Sequence, residues 1–272
     1  MLKLIFVGYA LILLALVFFE ARLVYPGAYM DERAQWAPAA DSPILSVAYT
    51  ADDQTQLQGR LLERPGAIGA LLYLHGNGTQ ARWLDARIQR FGERFNRHIL
   101  AAEFRGFGGS ETTPTEAGVI ADAHAARAYL CKRYGLNSGD IVLYGRSLGG
   151  GVAAALAGHD GAKALILERT FDSLVDVAAG HYSWIPVRYL MKNRFDSIAY
   201  LEGFKGPVIQ LHGTLDQIVP IQHGKRLYAA LVSEQKHWIE VEGLGHNDRL
   251  PDKNLAQIHK ALNRLTSGDQ AR

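Results

Sequence analysis

One stretch decides the fold of this chain: Ile141-Val142-Leu143-Tyr144-Gly145-Arg146-Ser147-Leu148-Gly149-Gly150-Gly151. Its first four residues are β-prone and apolar, and small residues with helical character follow from Val152 to Ala157. This order predicts a buried strand, a sharp turn and a helix, with Ser147 at the turn. In that context, Gly-x-Ser-x-Gly is typical of a serine held in a strained backbone geometry with its hydroxyl exposed. Outside that context, the pattern would indicate only a glycine-rich turn with an incidental serine.

The composition is that of one domain with a sizeable core. The chain has 272 residues, and 48% of them are hydrophobic, which suffices for a single core with appendages. Its 29 basic and 27 acidic residues give a formal net charge of +2, so no basic excess indicates a nucleic-acid partner. The single cysteine, Cys131, excludes an internal disulfide, and its helical surroundings favour a packing role over a nucleophilic one.

The N-terminal stretch is apolar and needs a separate explanation. Leu4 to Phe19 carry no charge, and residues 1–25 are predicted to form an uncleaved, single-pass transmembrane signal anchor. A cleaved signal peptide is the rival, but the stretch offers no good pair of small residues for cleavage. Lys3 favours the N-terminus inside, whereas Arg22 and Arg33 favour the opposite, so the side of the membrane stays open.

The rest of the chain alternates between strands and helices. Prolines and charges predict a linker over residues 26–43, and an α/β domain is predicted over residues 44–268. The domain begins with an antiparallel hairpin, Ile44 to Thr50 and Leu57 to Glu63. The next strand, Ala67 to Leu74, is nearly all apolar, as expected for a strand covered on both faces. This order predicts a doubly wound, mostly parallel sheet.

Candidate catalytic residues follow several of the predicted strands. In an open parallel sheet, active sites form beyond the carboxyl ends of the strands. Ser147 is the candidate nucleophile, and a serine hydroxyl needs a base within hydrogen-bond reach. His246 is the best candidate base, because it follows a strand in a glycine-containing turn. His212 and His75 are interpreted as positional residues of His-Gly turns.

The base in turn needs an acid that holds its tautomer and stabilises the imidazolium. Asp216 is the favoured candidate, since it lies just past a strand end. The order Ser147, Asp216, His246 along the chain is also the one expected for this architecture. Glu168 is the rival acid, at the end of the strand that follows the nucleophile helix.

The developing oxyanion needs preorganised donors. One candidate is the backbone N–H of Leu148, at the start of the helix after the nucleophile. The second should come from the loop after the third strand, His75 to Gly78, whose glycines allow a close approach to a ligand. The Asn77 N–H is the candidate there. The alternative is that this loop is a plain tight turn.

These motifs resemble those of a known family. The similarity rests on His75-Gly76-Asn77-Gly78, Arg105-Gly106-Phe107-Gly108-x-Ser110, Gly145-Arg146-Ser147-Leu148-Gly149-Gly150, His212-Gly213-x-x-Asp216-x-x-Val219-Pro220 and Gly245-His246. The chain resembles the α/β-hydrolase superfamily over about residues 44 to 265, and more narrowly its membrane-anchored abhydrolase-domain serine hydrolases. The resemblance implies a Ser-His-Asp hydrolase that acts through an acyl-enzyme, without metal or organic cofactor. It also implies that fatty acyl groups on proteins are among the substrates of the branch.

One departure from the family concerns the lid. Many relatives insert a large cap before the acid strand, whereas only about 40 residues separate Glu168 from Val208 here. A small lid is expected between His181 and Asp196, with aromatic residues that form either core or a shallow acyl site: Trp184, Tyr189 and Phe195. Arg105 and Arg146 flank the nucleophile region, where hydrogen bonding of loops is favoured over substrate binding.

The sequence therefore predicts a membrane-tethered serine hydrolase of carboxylic esters or thioesters. Its expected substrate is a small-molecule or acyl-protein ester, and its expected membrane contact is the N-terminal helix. Two alternatives stay open: a serine peptidase of the same fold, and a non-catalytic membrane-bound interaction protein.

Overall fold

An eight-stranded sheet forms the centre of the protein. The computed structural model describes residues 1–30, 38, 41–110 and 112–267. The strands are β1 (Ile44–Thr50), β2 (Gln56–Leu62), β3 (Ala70–Leu74), β4 (His98–Ala102), β5 (Val142–Arg146), β6 (Ala164–Glu168), β7 (Val208–Gly213) and β8 (Lys236–Val241). They lie in the order β1-β2-β4-β3-β5-β6-β7-β8.

The strand pairing matches the predicted class. β1 pairs antiparallel with β2, and β2 pairs antiparallel with β4. Every pairing from β4 to β8 is parallel. The doubly wound, mostly parallel α/β fold is therefore confirmed, with the predicted hairpin at one edge. The carboxyl ends of β3 to β8 consequently meet along one edge of the sheet, where the motif residues follow them.

Ten α-helices surround this sheet or precede it within the described residues. They are α1 (Leu2–Phe18), α2 (Glu20–Val24), α3 (Asp85–Phe95), α4 (Glu116–Tyr134), α5 (Leu148–Asp160), α6 (Leu174–His181), α7 (Val187–Leu190), α8 (Ser197–Tyr200), α9 (Ile221–Ala230) and α10 (Asp252–Thr266). Short 3₁₀ turns occupy Pro26–Tyr29, Ala81–Trp83 and Ser138–Asp140.

The core lies in two layers, one on each face of the sheet. Successive side chains of a strand point to opposite faces. In β3, Leu72 and Leu74 therefore pack in one layer with α4 and α5, and Leu71 and Tyr73 pack in the other with α3 and α10. This two-sided burial explains why the central strands are almost entirely apolar.

The N-terminal helix differs from the predicted anchor. α1 has 17 residues, which span about 25 Å, less than a hydrocarbon core of about 30 Å. Among the described residues, no helix is both long and apolar enough to cross a membrane. The transmembrane prediction over residues 1–25 is not supported, because the apolar helix stops at Phe18 and the buried Glu20 follows it.

The residues after α1 pack on the domain. Glu20 and Tyr25 are buried, although both lie in the predicted anchor. The first part of the predicted linker forms the 3₁₀ turn Pro26–Tyr29, and the Gly27 N–H donates to the Asn77 carbonyl at 2.8 Å. Of the predicted linker and domain, residues 31–37, 39, 40, 111 and 268 lie outside the described residues. The domain boundaries stay a prediction.

The segment between β6 and β7 contains the predicted small lid. It forms three short helices, α6, α7 and α8, of eight, four and four residues. Phe195 is buried in the core, whereas Trp184 and Tyr189 are 60% and 91% exposed. Phe195 thus follows the first predicted alternative, packing in the core, whereas the Trp184 and Tyr189 side chains face outward and their role in an acyl site stays a prediction.

A glycine at the contact between α5 and α8 gives a test of the packing. A Cβ on Gly158 would lie 1.8 Å from the Tyr200 carbonyl oxygen, whereas a Cβ on Gly180 in α6 would meet nothing within 4 Å. We expect Gly158→Ala to lower the free energy of unfolding by about 1–3 kcal/mol, because backbone must move to admit the methyl group. Gly180→Ala should raise it by roughly 0.5–1 kcal/mol, since alanine is the better helix former. Urea unfolding measures both, and equal effects would contradict the packing described.

Candidate active site

Ser147 forms the whole turn between β5 and α5. β5 ends at Arg146 and α5 begins at Leu148, and Ser147 has φ 52° and ψ −120°. A non-glycine residue in this region carries strain of about 1–3 kcal/mol, which surrounding contacts must hold in place. The Ser147 N–H donates to the Glu168 carbonyl at 3.0 Å, and the Ser147 carbonyl accepts from Thr170 Oγ1 at 2.8 Å.

The first turn of α5 lies tightly against the end of β3. A Cβ on Gly149 would be 2.1 Å from the Leu74 carbonyl oxygen and 2.5 Å from that of His75. A side chain at this position would push the helix away from the sheet. The glycine two residues after Ser147 therefore fixes the serine at the sheet edge, as the sequence pattern indicates.

The structure brings together the three side chains predicted as catalytic. His246 Nε2 lies 3.0 Å from Ser147 Oγ, and His246 Nδ1 lies 2.7 Å from Asp216 Oδ2. The three residues follow β5, β7 and β8, and all three are buried. A hydroxyl, an imidazole and a carboxylate in this chain of hydrogen bonds have the geometry needed to activate a serine as a nucleophile.

The Asp216 carboxylate is held in its ionised form. Its Oδ1 accepts from the N–H groups of Ile218 and Val219 at 3.1 and 2.8 Å. Burial raises the pKa of this carboxyl, but hydrogen bonds from His212 and His246 outweigh burial and hold the pKa well below its ordinary value. A negative charge is therefore available to stabilise an imidazolium on His246.

His212 supports the loop that carries Asp216. Its ring is fully buried, and Nε2 lies 2.8 Å from the Val219 carbonyl and 3.4 Å from Asp216 Oδ2. The ring thus ties both ends of the short loop between Asp216 and Val219. This arrangement agrees with the interpretation of His212 as a positional residue.

Glu168, the rival acid, contacts other groups than His246. Its carboxylate accepts from the Tyr144 hydroxyl at 2.6 Å and from Arg169, and the Arg146 Nε lies 3.5 Å away. Burial raises the pKa of this carboxyl, but nearby guanidinium groups, chiefly that of Arg169, lower it to about 2. The residue therefore acts as a buried counterion, and Asp216 is the carboxylate on His246.

Arg146 and Arg169 lie against the Glu168 carboxylate and hold the loop that carries His246. Arg146 Nη2 donates to the His246 carbonyl at 2.5 Å. Arg169 Nη1 donates to the carbonyls of Gly245 and Asp248 at 2.7 and 2.9 Å. The sequence favours loop hydrogen bonding for Arg146, as observed, but Arg169 is not among the residues that it singles out. The sequence signal for Arg169 is the charged pair Glu168-Arg169 at the end of a strand that is otherwise apolar.

The loop after β3 lies beside the nucleophile. A Cβ on Gly76 would be 3.4 Å from the Ser147 Cβ. On the far side, the buried His75 ring lies 2.7 Å from Glu103 Oε1, which ties the loop to the end of β4. Among the described residues, neither the Asn77 N–H nor the Leu148 N–H donates a hydrogen bond to a protein group. Within the described part of the chain, neither predicted donor thus has a protein acceptor, and their role in an oxyanion hole stays a prediction.

Arg105 is held entirely by carboxylates of the domain. Its Nη2 donates to Asp122 Oδ1 and its Nη1 donates to Asp53 Oδ2, both at 2.7 Å. The favoured interpretation, hydrogen bonding of loops, agrees with these contacts.

One group within the described residues could hold a metal ion. The possible ligand atoms of His124, His159 and Asp160 lie within 4.8 Å of one another. The Arg127 guanidinium already donates to Asp160 and lies 3.1 Å from His124 Nδ1. The group sits at the C-terminal end of α5, whereas Ser147 precedes the N-terminal end of that helix, so it is separate from the candidate active site.

Comparison with known proteins supports the assignment of the fold. The model of the prolyl oligopeptidase family matches residues 113–261. In structure, the chain is similar to an alpha-beta hydrolase from Vibrio vulnificus, with a TM-score of 0.72 and 21% identity over 89% of this chain and 92% of that one. It is also similar to the esterase Pf2001 of Pyrococcus furiosus, with a TM-score of 0.69 and 18% identity over 86% and 95%. At these identities, the structural likeness shows the fold alone.

Curated relatives are similar in sequence as well. An uncharacterized protein of Mycobacterium tuberculosis is 39% identical over 184 residues, which are 67% of this chain and 64% of that protein. The human alpha/beta hydrolase domain-containing protein 17B is 31% identical over 185 residues, 68% of this chain and 62% of that protein. The matches thus span less than two thirds of both relatives. Since the family model covers more than half of the chain, the chain belongs to the prolyl oligopeptidase family, and its fold is that of an alpha-beta hydrolase.

Proposed function

We propose that this protein is a serine hydrolase that cleaves carboxylic esters or thioesters through an acyl-enzyme on Ser147. The observation that carries the proposal is the hydrogen-bonded chain from Ser147 Oγ through His246 to Asp216, at 3.0 and 2.7 Å. Such a chain supplies both the nucleophile and the group that receives its proton. The likeness to a protein described as an esterase supports the ester class.

The reaction follows from the positions of these groups. As Ser147 Oγ attacks the substrate carbonyl carbon, His246 Nε2 takes the hydroxyl proton, and the Asp216 carboxylate stabilises the resulting imidazolium. The N–H groups of Leu148 and Asn77 receive the negative oxygen. Collapse of the tetrahedral intermediate breaks the ester or thioester bond, and His246 returns the proton to the leaving alcohol or thiol. A water molecule, deprotonated by His246, then releases the carboxylic acid and restores Ser147.

A peptidase is the second candidate, favoured by the match to the prolyl oligopeptidase family model. Amide cleavage uses the same residues, with His246 protonating the leaving amine. The two candidates differ in their leaving group, so a substrate panel separates them.

We also propose that α1 attaches the protein to a membrane, where an acyl lipid or acyl-protein would meet the site. None of the side chains of α1 is buried, and Lys3 is its only charged residue. The Tyr9 hydroxyl donates to the Trp184 carbonyl at 2.9 Å, so α1 lies beside Trp184, a residue of the lid segment whose side chain is exposed. Tryptophan and tyrosine are enriched at membrane–water interfaces, which favours lipid as the neighbour of this surface.

Removal of the candidate nucleophile tests the first proposal. Ser147→Ala should abolish labelling by a fluorophosphonate probe and hydrolysis of p-nitrophenyl esters, with an unchanged circular dichroism spectrum. The wild type should cleave p-nitrophenyl esters and acyl thioesters faster than peptide p-nitroanilides. Faster cleavage of the anilides would favour the peptidase, and undiminished labelling of the variant would contradict Ser147 as nucleophile.

Removal of the Asp216 charge tests the role of the acid. Asp216→Asn should lower kcat for a p-nitrophenyl ester by about 10⁴-fold, because an amide neither holds the required imidazole tautomer nor stabilises the imidazolium. Asp252→Asn is the matched control, since that carboxylate is exposed and bonded to Arg90 on the surface. Steady-state kinetics measures both variants. A loss of less than about tenfold in Asp216→Asn would mean that another group orients His246.

Charges on α1 test the membrane proposal. Leu4, Leu11 and Leu14 are exposed on α1, and burial of a leucine contributes about 1.5–3 kcal/mol. Replacing all three by Glu should lower binding to phospholipid vesicles by at least about a hundredfold, with unchanged kcat for a water-soluble ester. Ile68→Glu, at an exposed position just before β3, should bind as the wild type does. Cosedimentation measures binding, and a wild type that stays in solution would refute the proposal.

A further inference from the structure

The chain between α1 and the first undescribed residues forms a strap over the active-site edge of the domain. We define the strap as residues 20–29, which comprise α2 and the 3₁₀ turn Pro26–Tyr29. We propose that the strap positions the backbone N–H of Asn77 for its role in the oxyanion hole. The proposal rests on the proposed function, because it concerns the same site.

The strap contacts Asn77 from two directions. The Asn77 side-chain Nδ2 donates to the Val24 carbonyl at 3.0 Å. The Asn77 carbonyl accepts from the Gly27 N–H at 2.8 Å. These bonds engage the side chain and the main-chain carbonyl, and no bond to another described residue engages the Asn77 N–H. Together they fix the rotation of the residue, so that the direction of its N–H is set by the strap.

A close backbone approach shows how tightly the strap lies on this loop. A Cβ on Gly27 would be 2.7 Å from the Asn77 carbonyl oxygen, 2.7 Å from the Phe107 ring and 3.0 Å from the Thr79 carbonyl oxygen. Only glycine fits at this distance. The Gly27 carbonyl also accepts from Gln80 Nε2 at 2.7 Å, so one strap residue is bonded to the middle of the loop at Asn77 and to the chain just after the loop at Gln80.

The other side of the strap is fixed to the base of the lid segment. The buried Glu20 carboxylate accepts from the N–H groups of Lys192 and Asn193 and from the Asn193 amide, each at 2.9 Å. The Tyr25 hydroxyl donates to Asn193 Oδ1 at 2.8 Å, and its fully buried ring packs against Phe195 with centroids 6.5 Å apart. The strap is therefore a fixed support and not a loosely attached tail.

The support of this loop affects the position of the Asn77 N–H. A donor in the oxyanion hole contributes only when it lies within hydrogen-bond distance of the developing oxygen anion. The glycines on both sides of Asn77 make its backbone conformationally free. The His75–Glu103 contact holds the start of the loop, and the strap holds its middle and end. Glu20, Tyr25 and Gly27 are thus positioning residues that act through Asn77.

Gly27→Ala in the full chain is the first test, with Gly8→Ala as the matched control, because a Cβ on Gly8 would meet nothing within 4 Å. For a p-nitrophenyl ester, Gly27→Ala should lower kcat by at least about tenfold, less than the 10²–10³-fold loss of a whole donor. KM should stay within about twofold, since the ground-state carbonyl depends little on that donor. Affinity for an alkyl boronic acid, whose adduct with Ser147 places an anionic oxygen in the hole, should fall in parallel with kcat.

Asn77→Ala is the second test, which applies even if Gly27→Ala fails to fold. It retains the backbone N–H and removes the bond to the Val24 carbonyl, so kcat and boronate affinity should again fall while KM is kept. If the role of the strap were purely structural, the variant would instead have a lower melting temperature, with kcat and boronate affinity unchanged. If either folded variant keeps kcat and boronate affinity within about twofold of the wild type, the proposal is overturned. A wild type that no fluorophosphonate labels would overturn the proposed function itself.

Discussion

The left-handed backbone of Ser147 is the constraint on which the rest of the site depends. A serine with φ 52° between a strand and a helix is held there only because its neighbours leave no alternative. The Gly149 backbone lies against the carbonyls at the end of β3, and the main chain of Ser147 is bonded to Glu168 at the end of β6 and to Thr170 just after it. The turn at Ser147 is thus fixed by the strands on both sides of β5, and the candidate nucleophile therefore lies near the centre of the sheet.

The other two candidate catalytic residues are held by charge as well as by packing. The buried Glu168 carboxylate binds Arg169 and lies beside Arg146, and these two guanidinium groups donate to the backbone around His246. A buried carboxylate without such partners would be costly, whereas here the arginines lower its pKa to about 2. One ionic network therefore links the ends of β5 and β6 to the loop after β8, and the base stays within reach of the serine.

The N-terminal region shows how a local pattern can mislead about a segment's surroundings. The apolar run from Leu4 to Phe19 predicts a membrane anchor over residues 1–25, which includes Glu20. In the structure, Glu20 is buried and accepts hydrogen bonds from residues 172 and 173 positions away. No property of residues 1–30 alone indicates a partner near residue 193. The apolar character of α1 is readable from the sequence, but the packing of the strap, residues 20–29, on the active-site edge is not.

The succession of strands and helices along the chain is readable from the sequence, as are the loops in which Ser147, Asp216 and His246 lie. This was possible because hydrophobic periodicity and glycine turns act over a few neighbouring residues. The contact of His246 with Asp216 and not Glu168, the bonds of Arg169 to the His246 loop and the bonds of the strap to Asn77 are visible only in the fold. A buried charge takes whichever partner the fold brings to it: Asp216 meets His246 30 positions away, Arg169 meets Gly245 76 positions away, and Glu20 meets Asn193 173 positions away. Such pairings depend on the three-dimensional meeting of strand ends, which a local sequence pattern does not encode.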